Sequence, residues 1–272
     1  MKRKINKRKV ISLIILIISI ILITISGIKI IKWEKDNKHT EEISKKLEEK
    51  VEIKQGNEEK AEIIIQEEEI PEENPYWDYI KMNLIDVDFN ELKLDNPDTV
   101  GWIQVNGTNI NYPFVQTNNN DYYLTHSFDK KYTDAGWVFL DYRNNLSESD
   151  KNTLIYAHSR LDKSMFGTLR KVLTNGWLND KNNYIIKLST EYKNTLWQVF
   201  SVYHIETTND FMQTEFFDDE EFLKFANKMK NRSMHNFNTS LNANDHILTL
   251  STCYSETEKM IMHAKLIKVE TR

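Results

Sequence analysis

The run His246-Ile247-Leu248-Thr249-Leu250-Ser251-Thr252-Cys253 ends on the only cysteine of a 272-residue chain. Its apolar and β-branched residues read as a strand, and the polar stretch Tyr254 to Glu258 reads as the loop that follows. A thiol at a strand end, facing a loop, is held rigidly and still reaches a substrate. A single cysteine excludes an internal disulfide and a cysteine-only metal site. The competing reading is a buried structural thiol, because free cysteine packs like a small hydrophobe.

A second segment, Asn152-Thr153-Leu154-Ile155-Tyr156-Ala157-His158-Ser159-Arg160, has the same design: a short apolar strand ending on an imidazole. Two strand ends carrying cysteine and histidine suit a thiol nucleophile with an acid/base partner. Thr249 to Cys253 matches the TLxTC signature of sortases, the cysteine transpeptidases of Gram-positive cell surfaces, and the strand ending at His158 resembles their histidine motif. Asn96-Pro97-Asp98-Thr99-Val100-Gly101-Trp102-Ile103, Asn111-Tyr112-Pro113-Phe114-Val115-Gln116, Asn120-Asp121-Tyr122-Tyr123-Leu124 and Gly136-Trp137-Val138-Phe139-Leu140-Asp141-Tyr142-Arg143-Asn144 add to the resemblance. In order and wording they are most similar to class B sortases, over residues 76–272.

Working outward, Lys2, Arg3, Lys4, Lys7, Arg8 and Lys9 precede an Ile/Leu-rich run starting at Val10. From Val10 to Ile28 it has the length to cross a hydrocarbon core of ~30 Å as a helix. No Ala-x-Ala cleavage site follows, so an uncleaved signal anchor over residues 10–31 is expected. Residues 1–9 then stay cytoplasmic and the rest lies outside. The whole chain carries −5, and the body beyond the basic terminus is more acidic still, which gives no electrostatic case for nucleic-acid binding.

Residues 32–75 are dominated by Lys and Glu and predict a solvated stalk, with a charge-paired helix over Glu41 to Lys54. The Ile63-Ile64-Ile65 run within it is surrounded by acids. Residues 76–272 form the expected catalytic domain. Tyr76 to Leu94 reads as one or two short helices. Strand-like runs follow at Val100–Val105, Asn109–Val115, Trp137–Tyr142, Thr153–Ala157, Tyr184–Ser189, Thr195–Ile205, Ile247–Ser251 and Met260–Val269, with turn signals at Asn106-Gly107 and Asn175-Gly176. Such a series argues for a mainly β barrel or sandwich; the resemblance implies the eight-stranded sortase barrel. Asp218 to Glu221 followed by Phe222, Leu223, Phe225, Ala226 and Met229 predicts a helix inserted before the cysteine strand, either beside the substrate groove or covering one barrel end.

The resemblance implies Cys253 as nucleophile and His158 as acid/base. His126 is the leading rival histidine, whereas His263 lies within the last strand, where a structural role is expected. Sortases also use an arginine on the strand after the cysteine. Here the alignment puts Lys259 at that place, which keeps the charge and loses the planar fork. Lys259 as a functional substitute, another arginine such as Arg160 or Arg232, and a weak enzyme all remain open. Backbone N–H groups around Cys253 and Tyr254 are candidate oxyanion donors. Ser251, Thr252 and Tyr254 are candidate substrate contacts, with ordinary packing as the alternative for Ser251 and Thr252.

The implied reaction cleaves a C-terminal sorting signal, NPxTx- or (S/N)PxTG-like, after threonine. The surface protein then passes to the amine of peptidoglycan or of a lipid-linked precursor. That chemistry requires no cofactor or metal. Two alternatives are a pilus-type enzyme joining protein subunits and a non-catalytic peptide-binding module of the same fold.

Overall fold

The strands form where β-branched and aromatic residues cluster between turn residues. The computed structural model describes residues 7–64, 70–72, 74–148 and 150–272. A helix, α1 (Lys7–Lys50), leads into β1 (Ile53–Gln55), β2 (Ala61–Ile63), α2 (Tyr76–Tyr79), β3 (Ile85–Val87) and α3 (Asn90–Asp95). The barrel strands are β4 (Thr99–Val105), β5 (Asn111–Val115), β6 (Phe139–Leu140), β7 (Asn152–Tyr156), β8 (Ile185–Thr190), β9 (Lys193–Glu206), β10 (Ile247–Cys253) and β11 (Glu258–Thr271). All eight predicted strands are present. They pair in the order β10-β7-β6-β5-β4-β8-β9-β11, and β11 returns to β10, closing an eight-stranded barrel. The β7–β10 and β5–β6 pairs are parallel.

Asn106-Gly107 makes the β4–β5 turn, where Gly107 has φ +70°. Asn175-Gly176 is not a turn as expected; it opens the short helix α4 (Asn175–Leu178), because Trp177 is buried beneath it. The main core contains Trp102, Phe114, Trp137, Leu250 and Met262. The predicted inserted helix is α5 (Asp219–Asn231). Asp218 caps it by accepting from the Glu221 N–H at 2.8 Å, and Glu221 reaches back to the Phe217 N–H at 2.6 Å. Its Phe222, Phe225, Ala226 and Met229 pack with Phe200, Tyr203, Phe211 and Ile261 in a second apolar cluster outside the barrel.

A line of buried polar groups crosses four neighbouring strands and sets their register. Thr249 Oγ1 on β10 donates to Asn152 Oδ1 on β7 at 2.7 Å and lies 2.8 Å from His263 Nδ1 on β11. His263 Nε2 lies 3.0 Å from the Tyr203 hydroxyl on β9. A neutral imidazole completes this line, with Nδ1–H given to Thr249 and Nε2 accepting from Tyr203. Burial, with a smaller contribution from the Arg232 charge, pushes the His263 pKa down to about 3.

The segment expected as a stalk begins as a direct continuation of the apolar helix, and α1 lies against the domain along its second half. Leu47 and Val51 enter the main core with Ile43 packed beside them. Lys50 Nζ lies 2.9 Å from Asp95, and His39 Nε2 lies 3.3 Å from Asp129. β1 pairs with β3 and β2 with β11, so this acidic segment also contributes strands. Ile65 lies outside the described residues. Between the predicted short helices α2 and α3 the chain inserts the strand β3, whose Ile85 and Val87 are buried.

Two outcomes follow for stability. Below pH ~6.5 the unfolded imidazole of His263 takes up a proton that the folded one refuses, so folding stability falls by up to about 1.4 kcal/mol per pH unit from this group. In denaturant titrations His263→Gln is the less stable protein at pH 7, and its gap to the unmutated chain narrows as pH drops below ~6.5. Leu47→Ala costs about 2–5 kcal/mol, read the same way; a change near zero would show that the second half of α1 contributes nothing to the fold.

Candidate active site

Cys253 and His158 occupy equivalent places on two parallel neighbours. β10 and β7 stay in register to the pair Ser251–Tyr156, and each catalytic candidate lies two residues further on. Side chains alternate along a strand, so Ser251 and Cys253 share one face of β10, and the β7 side continues through Tyr156 to His158. The Ala157 N–H still bonds the Ser251 carbonyl, at 3.4 Å, which carries the pairing almost to the histidine. Cys253 is partly exposed.

His158 Nε2 is 2.8 Å from the Leu124 carbonyl. A carbonyl only accepts, so the proton sits on Nε2 and Nδ1 is left as the basic nitrogen. Gly136 makes room for this arrangement. It has φ +58°, and a Cβ there would lie 2.5 Å from the Tyr123 carbonyl oxygen, 2.8 Å from that of Leu124 and 3.1 Å from His158 Cδ2. The rival His126 is stacked on Tyr122 with 4.0 Å between ring centroids, and its Nδ1 lies 2.8 Å from the Tyr122 carbonyl.

The β10–β11 hairpin brings Lys259 directly opposite Cys253, and its Nζ donates to Sγ at 3.3 Å. The ammonium therefore touches the sulfur itself. Arg160 and Arg232 are committed elsewhere. The Arg160 guanidinium is buried and bonds Asn37 Oδ1 on α1. Arg232 grips Asp210 with both terminal nitrogens, at 2.8 and 2.5 Å, and holds that carboxyl far below its usual range.

Sequence reasoning missed Arg170, which sits in the 3-10 segment Gly167–Leu173. Its Nη2 donates to the backbone carbonyl of Tyr254, and its guanidinium lies 5.1 Å from the centre of the Tyr254 ring. The same ring stacks on His204 at 4.2 Å, and His204 Nδ1 is 2.9 Å from Glu258. No local pattern marks Arg170, because only the tertiary fold brings it beside the cysteine loop.

The candidate substrate contacts separate. Ser251 lies on the Cys253 face but is 5% exposed. Thr252 lies on the opposite face with Leu248 and Leu250, is 4% exposed, and has a buried hydroxyl with no hydrogen-bond partner. Tyr254 is partly exposed beside the thiol. Its amide donates to the Glu258 carbonyl at 2.8 Å, as does that of Ser255 at 3.2 Å. The tight turn thus consumes the Tyr254 N–H that the sequence offered as an oxyanion donor. A cleft of about 710 Å³ opens away from Cys253 and His158, between Tyr142, Arg143, Met212 and the Lys224–Lys228 side of α5. The inserted helix therefore both covers the barrel wall and lines this cleft.

Known proteins resemble this chain in sequence and fold. The family model for the Sortase domain matches residues 103–267. Sortase B of Staphylococcus aureus is 36% identical over 185 residues, covering 66% of this chain and 75% of the relative. Sortase B of Listeria monocytogenes is 37% identical over 190 residues, covering 66% and 74%. Among solved structures, a Staphylococcus aureus sortase B–substrate complex superposes with a TM-score of 0.62 at 35% identity, covering 66% of this chain and 84% of that one. Clostridium perfringens sortase B gives 0.62 at 33% identity, with 66% and 100% covered. The chain belongs to the sortase family, in its sortase B group, and is by that membership a cysteine transpeptidase.

Proposed function

We propose that this protein is a membrane-anchored sortase that cuts a C-terminal sorting signal, NPxTx- or (S/N)PxTG-like, after threonine and passes the surface protein to a cell-wall amine. The observation that carries the reading is the contact between the Lys259 ammonium and Cys253 Sγ, with His158 at the matching end of the adjacent parallel strand. Anchoring is supported by α1, whose apolar stretch is long enough to cross a bilayer. The basic residues before it support a cytoplasmic N-terminus with the barrel outside.

The Cys253 thiolate attacks the threonine carbonyl carbon, and the carbonyl oxygen takes up negative charge. As the C–N bond breaks, imidazolium at His158 gives its Nδ1 proton to the departing amine. A thioester remains. An incoming amine from peptidoglycan or a lipid-linked precursor returns a proton to Nδ1 and attacks that carbon. The C–S bond then breaks and the thiolate re-forms.

Lys259, whose ammonium touches Sγ, is the donor placed for the oxyanion. Arg170 is a positioning residue: by holding the Tyr254 carbonyl and ring it fixes the turn that aims Cys253. Ser251 and Tyr254 border the bound signal, whereas the inward side chain of Thr252 serves the barrel wall.

The test is intact-mass analysis of the full chain with a panel of sorting-signal peptides. A thioester forms and is absent in Cys253→Ala; His158→Ala lowers kcat/KM about 10²–10⁴-fold. No acyl adduct with any peptide of the panel would overturn the reading.

Lys259 and Arg170 differ in what they change. Lys259→Ala lowers kcat about 10²–10³-fold, because the developing oxyanion loses its donor; Lys259→Arg restores much of it. Arg170→Ala lowers kcat/KM and Arg170→Lys recovers part of it, since this side chain acts by holding a carbonyl and not by touching the sulfur.

A further inference from the structure

The docked half of α1 is a ruler that gives the height of the barrel above the membrane. Every large apolar side chain from Val10 to Ile31 is exposed, so nothing among the described residues covers this stretch and lipid is its natural surround. The helix continues without a break to Lys50, and barrel residues are tied to it at successive levels. Lys32 bonds Asp134 at 2.7 Å and lies 5.4 Å from the centre of the Tyr132 ring. Asn37 bonds Arg160. At the far end, Asn111 reaches Glu48 at 3.3 Å and Asp95 binds Lys50. At 1.5 Å per residue, Lys32 and Lys50 are about 27 Å apart along the axis, and Asn37 lies only about 9 Å beyond Ile31.

Two loops therefore hang at the lipid end, the one around residues 129–134 and the one around 160–163. Both adjoin the histidine of the active site. The first follows Leu124, whose carbonyl holds His158 Nε2, and the second begins two residues after His158. Their exposed tips suit a headgroup layer. Leu161 is 84% exposed and Tyr132 63% exposed, and Lys163 lies two residues beyond Leu161. An amphipathic tyrosine, a bare leucine and a lysine belong at a membrane interface, where the apolar parts leave water and the ammonium meets phosphate. The acids of the first loop are already matched: Asp129 by Lys131 and His39, Asp134 by Lys32.

We infer that this barrel face rests on the phospholipid surface of the bilayer that α1 crosses, with Tyr132 and Leu161 in the interface and the His158 end of the active site opening onto that layer. The inference rests on the anchoring proposed above. Its chemical consequence is that the enzyme engages donor and acceptor while they are themselves held at the lipid surface.

The test compares two exposed leucines at opposite ends of the ruler, Leu161 and Leu94, the latter 78% exposed and next to Asp95. Full-length protein in vesicles of phosphatidylcholine and phosphatidylglycerol carries p-benzoylphenylalanine in place of Leu161, Tyr132, Leu94 or Ile17, one at a time, and lipid adducts are measured by mass spectrometry after illumination. Adducts are expected at positions 17, 161 and 132, with position 94 at least about tenfold lower because it stands well outside the headgroup layer. Adducts at 17, with 161 and 132 no higher than 94, would overturn the inference and leave the anchor standing. No adduct at 17 would remove both.

Discussion

The hydrogen-bonded line Asn152–Thr249–His263–Tyr203 is the constraint on which the site depends. Strand register has a period of two, so a one-residue slip of β10 against β7 would turn Cys253 to the wrong face and His158 away from it. Apolar packing opposes such a slip, because Leu248, Leu250 and Ile155 belong to the main core and Leu154 to the second cluster. A buried donor–acceptor chain resists it strongly, since any shift leaves polar groups unpaired in the core. Asn152 extends this control, with its amide bonded to the carbonyls of Phe211 and Gln213 in the segment leading to α5. One asparagine therefore ties the histidine strand, the cysteine strand and the inserted helix into a single geometry.

Much of this was legible in the sequence because it is written locally. The eight strands follow from β-branched and aromatic runs between turns, and α5 follows from an acidic start and an apolar face. Cys253 and His158 stand at strand ends, so their motifs carried their places with them. What failed to show was tertiary. Arg170 sits in an unremarkable Leu-Arg-Lys stretch and gains meaning only where the chain returns to Tyr254. The docking of α1 rests on a narrow stripe, Thr40, Ile43 and Leu47, set in charged residues that read as a solvated surface. Thr252 continues the inward face of Leu248 and Leu250 on a period-two reading, which matches the packing alternative open to it in the sequence.

The site itself divides labour that a single guanidinium would combine. Lys259 brings a compact charge to the sulfur, and Arg170 fixes the backbone one residue beyond it. A fork can bind two atoms at once; an ammonium on a flexible stem binds where the field is strongest. The stacked Tyr254 and His204 rings and the closed turn to Glu258 then supply rigidity that a lysine does not.

The contact between Lys259 and Cys253 also bears on the lifetime of the acylated enzyme. A guanidinium beside a thioester is an inert bystander. An amine at that distance is itself an acyl acceptor as soon as it sheds its proton, and capture would move the acyl group from sulfur to nitrogen as a stable amide. The proton on Lys259 thus acts as a protecting group. While it stays in place the thioester waits for the acceptor amine; without it the enzyme's own side chain would compete for its product.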